Sequence, residues 1–178
     1  VRSSAASDVY KRQRQDITKV NGLSQQITDY LIEVSAKDIS LNDEKLVNML
    51  HRDNIDVVRV ADIAENIVGY TRKAIDETLS FSKAVKEDLT GFMQLLNEQY
   101  ELVVDIVENN NIVKLKQSDE IEEQINSERQ RLLDDHIERM RRGECNAENP
   151  RLFVSLVGTL ERVGAHLSLM AHSVAEVG

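Results

Sequence analysis

The chain has 178 residues, with 22 basic and 31 acidic side chains and a net charge of −9. That length suits one domain with a substantial core, and the acidic excess disfavours nucleic-acid backbones and anionic lipid surfaces as partners. One proline, seven glycines and 41% apolar residues with few aromatics favour an all-helical domain, while the lone Cys145 cannot close an internal disulfide and suits a reducing compartment.

The run Ser3 to Gln13, SSAASDVYKRQ, back-translates codon for codon into a transposon-based sequencing adapter. Residues 1–13 are therefore read as a non-native segment and set aside, and the gene as a fragment lacking its true upstream part. Without Arg2, Asp8, Lys11 and Arg12 the remainder stands at −11. Apolar spacing then predicts five helices. Ile17, Val20, Ile27, Leu31 and Val34 mark one over 14–36, and Leu46, Leu50, Val57, Val60, Ala64 and Ile67 mark a long second over 42–78. Val85, Leu89, Phe92, Leu96, Val103 and Val107 mark the third over 82–109, and Ile121, Ile125, Leu132 and Ile137 the fourth over 112–142. Leu152, Leu156, Leu160, Val163, Leu167 and Met170 mark the last over 150–176. Ser82 can cap one start, and Asn149 before Pro150 another. Gly143 follows the basic RMRR run, where cations suit the helix dipole and glycine permits the exit. The longest apolar stretches, such as FVSLVGTL, are too short to cross a bilayer, so no direct span is expected.

The chain repeats itself at domain scale. A shift of 103 residues sets Arg59-Val60-Ala61 on Arg162-Val163-Gly164. A shift of 105 matches Asn21, Gln25, Asp29, Ile32 and Glu33 with Asn126, Gln130, Asp134, Ile137 and Glu138. The small difference between offsets is what a change in loop length produces. Residues 14–80 and 81–178 are thus two homologous halves. The helix over 82–109 has no partner in the first half, so a complete pair would contain six helices and this chain five. An apolar groove is expected along residues 17–34 and 46–67, where the missing helix would lie, with dimerisation or aggregation as its consequence.

Two segments carry a family resemblance. Asp56-Val57-Val58-Arg59-Val60-Ala61-Asp62-Ile63-Ala64-Glu65-Asn66-Ile67 and Leu160-Glu161-Arg162-Val163-Gly164-Ala165-His166 follow the frame Asp-Leu-Glu-Arg-Ile-Gly-Asp-His-Ala-x-Asn-Ile. That frame closes each half of PhoU-like domains. The run HIERMRRGECNAENPRLF, His136 to Phe153, resembles the PhoU-like cytoplasmic tails of bacterial sodium-dependent phosphate cotransporters. The resemblance implies an all-α pair of three-helix bundles with its first helix missing, and a regulatory, non-enzymatic role in phosphate transport and homeostasis. The expected partner is the transmembrane part of the transporter, with the domain at the cytoplasmic face of the membrane. The alternative is a stand-alone cytoplasmic adaptor acting on a transporter and a sensor kinase. A homodimer is also expected as a possible assembly.

Family members can hold iron or zinc through carboxylates four residues apart in each half, a spacing that places both on one helical face. Here the first half keeps Asp62 but has Val58, and the second keeps Glu161 but has Ala165. Leu169 stands where Asn66 stands in the first half, and Asn21 and Asn126 occupy positions that are acidic in the family. Asp62 and Glu161 are the remaining candidate metal ligands; the simpler readings are a partner of Arg59 or Asn66 for the first and a helix ion pair for the second. No cofactor is expected, with iron or zinc as the alternative and a metal-binding helical bundle as the corresponding rival function. The histidines are scattered and no Glu-x-x-His motif occurs, unlike a ferritin-type di-iron bundle. His166, beside the lost aspartate position, is the one to watch. No nucleophile with its base, phosphate-cradling glycine loop or basic aromatic surface can be assembled. Tight binding of phosphate is not expected.

Overall fold

The computed structural model describes residues 2–77, 79, 81–144 and 150–177. Cys145 and Asn149 lie outside the described residues. Among those described there are five α-helices, one 3-10 turn and no strand: α1 Arg2–Ser35, α2 Leu41–Asp76, α3 Lys83–Asn109, α4 Leu115–Arg141 and α5 Pro150–Ala175. The expected boundaries differ in two places. α1 begins twelve residues before the expected start; the adapter-like stretch contains neither glycine nor proline to stop it, and Tyr10 stacks under the guanidinium groups of Arg14 and Arg72 at 5.5 and 5.4 Å. The first turn before α4 is a 3-10 turn, Ile112–Lys114.

The helix ends have local causes. Ser40 and Ser82 sit in extended backbone and accept from the amides of Asp43 and Val85, satisfying one orphan donor at each start. Asn110 takes the left-handed conformation, φ 49°, that ends α3. Asp105 holds the following turn by accepting from Asn109 and Asn111 and by pairing with Lys114 at 2.8 Å. Lys114 and the two amide donors keep its carboxyl below the usual range.

α3, α4 and α5 close on each other as a three-helix bundle, and the continuous core runs through Val85, Phe92, Ile106, Ile125, Leu132 and Phe153. α1 packs on α2, and α2 packs on α5, so the halves meet principally along α2 and α5. α5 is apolar and long enough to cross a membrane by length and composition alone, an 18-residue window within Arg151–Ala175 having a mean hydropathy of 1.2. Here it packs against α2, α3 and α4.

Several features recur at positions 103 or 105 residues apart. The hydrogen bond from Gln25 to Asp29, 2.8 Å, recurs as Gln130 to Asp134, 3.0 Å. Arg59 and Arg162 are exposed, Val60 and Val163 half-buried, and Ala61 and Gly164 buried. Met49 and Leu152, Val68 and Ala171, and Leu31 and His136 are buried in both copies.

Candidate functional site

Three other repeat pairs differ sharply in burial. Ile27 is 45% exposed and its partner Leu132 0%. Leu50 is 39% exposed against 0% for Phe153, and Val57 42% against 4% for Leu160. The second copies lie in the core that α3 closes; the first copies have no equivalent of α3 over them. An apolar groove covers part of the expected stretch, at residues 17–20 and 57–67, and is walled by α3 and α5 as well. It has a volume of about 610 Å³ and is bordered by Ile17 and Val20 of α1, Val57 and Ala64 of α2, Met93 of α3 and Leu167 of α5. An open apolar face of this kind on a helical pair is suited to receive another helix.

Beside the groove, the α2–α5 seam is polar at one end. His166 Nδ1 lies 2.8 Å from Asp56 Oδ1, with both side chains more than four-fifths buried. Arg52 pairs with Glu176 at the rim. Between them Asp53 has a buried Oδ1 with no partner among the described residues. Burial pushes its carboxyl above the usual range and Asp56 adds to this, while the nearby Ser173 and Arg52 work the other way. The repeat relation sets Ile63 and Thr159 at the spots matching His166 and Asp56, both buried. The polar pair therefore belongs to one half of the pseudo-symmetric seam only. Two further bonds tie α5 to α4: His172 Nε2 to Asp119 Oδ1 at 2.7 Å, and Ser168 Oγ to Glu122 Oε2 at 2.5 Å.

The candidate ligands occupy separate surroundings. Asp62 is half exposed on α2 and 3.5 Å from Arg59, its neighbour on the same helix. Glu161 is half-buried on α5. Among the described residues no group of three or more His, Cys, Asp or Glu side chains is placed to hold a metal ion. Sequence reasoning singled out His166 but not its partner Asp56. The signal was present, because Asp56 starts the first motif and its repeat partner is the uncharged Thr159.

Two buried polar groups have no counterpart in that reading. His136 is stacked on Phe153 at 4.6 Å, and neither ring nitrogen has a partner among the described residues. Burial lowers its pKa below the usual histidine value, with Arg139 acting in the same sense. Gln99 is fully buried with both amide atoms unpartnered among the described residues, and faces Gly164 so closely that a Cβ there would lie 3.0 Å from its Oε1. Arg131 pairs with Glu128 and Asp135 of its own helix at 2.6 Å each and reaches across to Asp88 of α3 at 3.3 Å.

No family model matches the chain, and no protein of curated function does. Among solved structures, the fold is similar to PhoU from Pseudomonas aeruginosa, with a TM-score of 0.87 at 14% identity. The likeness covers 96% of this chain and 81% of that one. The fold is PhoU-like and all-helical.

Proposed function

We propose that this is a non-enzymatic regulatory domain of phosphate transport and homeostasis, working through helix–helix contacts with a sodium-dependent inorganic phosphate transporter at the cytoplasmic face of the membrane. The observation that carries the reading is the PhoU-like fold over nearly the whole chain. It is supported by the bare apolar face on α1 and α2, which suits docking of a helix rather than turnover of a substrate. Its surface carries a net negative charge, so inorganic phosphate itself is a poor ligand for it. Titration calorimetry with inorganic phosphate should give no micromolar binding.

A second reading is a stand-alone adaptor acting on a phosphate transporter and its sensor kinase, favoured by the likeness to a protein that is itself named PhoU. The contiguous upstream reading frame separates the two. Several membrane-spanning helices before residue 14 support the transporter domain, and a start codon about one helix upstream supports the adaptor. Restoration of phosphate-controlled reporter repression, in a bacterial strain lacking its own PhoU, tests the shared regulatory role. Failure of every length of the gene to alter the reporter or phosphate uptake would refute both readings. Metal storage by Asp62 and Glu161 is the remaining rival, and elemental analysis for iron and zinc decides it.

A further inference from the structure

We infer that the α2–α5 seam between the two halves carries a proton-operated latch at one end: the Asp56–His166 pair fastens it, and a proton taken up there tightens it. α2 and α5 exchange places under the repeat, so each seam position has a counterpart at the other end. Asp56 and His166 correspond to Thr159 and Ile63, and Asp53 and Ser173 to Leu156 and Tyr70. One end thus has two carboxylates, an imidazole and a hydroxyl where the other has leucine, threonine, isoleucine and tyrosine.

The polar end is enclosed and incompletely satisfied. Asp56 and His166 lie 2.8 Å apart with both side chains more than four-fifths buried, and Arg52 with Glu176 closes the rim. Asp53 has a buried oxygen without a partner among the described residues, which favours opening toward water. Asp53 and Asp56 stand three residues apart on one helix, a spacing at which like charges repel. A neutral imidazole donates only Nδ1–H to Asp56. A proton taken from water at Nε2 makes that bond charge-assisted and sets a positive charge beside the two acids. Burial favours the neutral carboxyl at Asp53, so proton uptake there tightens the same end. Acid therefore closes the seam and base loosens it.

The other charged groups around the pair are few. Arg59 and Arg162, about one turn away on each helix, are exposed. On α4 the acids against α5 are Asp119 and Glu122, held by His172 and Ser168. α3 approaches α5 through the uncharged Gln99 at Gly164, and α1 meets this part of α2 through Ser24 and Thr28 with Asn54. His51 precedes Asp53 by two positions, which turns it to the far side of α2. Val57 and Leu167 follow Asp56 and His166 directly and line the apolar groove, so opening this end parts the groove floor. The latch requires nothing of the regulatory role proposed above.

Amide hydrogen exchange of the whole chain between about pH 5.5 and 8 is the test, read as protection factors so that intrinsic exchange cancels. Protection across Leu50–Val58 should fall about five- to tenfold as pH rises, relative to Ile63–Tyr70 on the same helix. His166→Gln keeps a donor for Asp56 but takes no charge, and it should flatten the profile; Asp56→Asn should do the same. His51→Gln and His172→Gln should leave the profile as it is. A wild-type ratio that stays constant across this range overturns the inference. So does a fall that persists in both His166→Gln and Asp56→Asn, or one that His51→Gln or His172→Gln abolishes.

Discussion

Replacing Leu132 and Ile27 by alanine, one at a time, separates the closed half from the open one. The two occupy equivalent positions in the repeat, yet Leu132 is 0% exposed and Ile27 45%. Leu132→Ala removes a side chain from a fully enclosed site, so lost transfer free energy and the cavity add to about 2–5 kcal/mol. Ile27→Ala leaves no enclosed cavity, and roughly half the surface it removes is already in water, which limits the cost to about 1 kcal/mol. Alanine also recovers a few tenths of a kcal/mol of helix propensity, so the cost falls further. Urea unfolding followed by circular dichroism reads the difference. At a slope of about 1–3 kcal/mol per molar, the Leu132→Ala midpoint should fall by about 1 M or more beyond that of Ile27→Ala. Equal losses would refute the conclusion that the first half lacks a helix the second possesses.

Three other outcomes follow from buried groups. Gly164→Val should cost more than about 2 kcal/mol in urea unfolding, because a Cβ there lies 3.0 Å from Gln99 Oε1 and 3.2 Å from Ile125 Cδ1, and a branched side chain has nowhere to turn. His136→Leu places at that site the residue found at its repeat position, Leu31. His136 has a lowered pKa, so the unfolded chain binds the extra proton first and wild-type stability falls as pH drops below the usual histidine value of 6.5; the variant should not share that fall, measured as melting temperature from pH 7.5 to 5. Asp53 has a raised pKa, so the folded chain binds more protons and stability falls as pH rises above its ordinary value of 3.8. Asp53→Asn should therefore be more stable than wild type at pH 7, with the gain vanishing below that value.

The fold was legible because apolar spacing, the capping Ser82 and the single proline agree with one another over long helices. The five-helix order is recoverable from side-chain type and spacing. The start of α1 is not, since residues 1–13 are set aside as non-native, yet their serine, alanine and charged residues have propensity enough to prolong an existing helix. The pairing of His166 with Asp56 was only half legible. Their separation of 110 residues is bridged by the antiparallel course of α2 and α5, which periodicity within one helix does not encode. The orphaned His136 was hidden for a different reason: in sequence it sits within a motif-like run, and only the stack on Phe153 places it in the core.

The halves meet principally along two helices, and only one half is closed, so the molecule is expected to loosen in stages rather than all at once. Amide hydrogens of α1, held by a two-helix layer with one open side, should exchange with solvent through local openings well below the global unfolding energy. Those of α3, α4 and the middle of α5 should wait for the whole bundle to come apart.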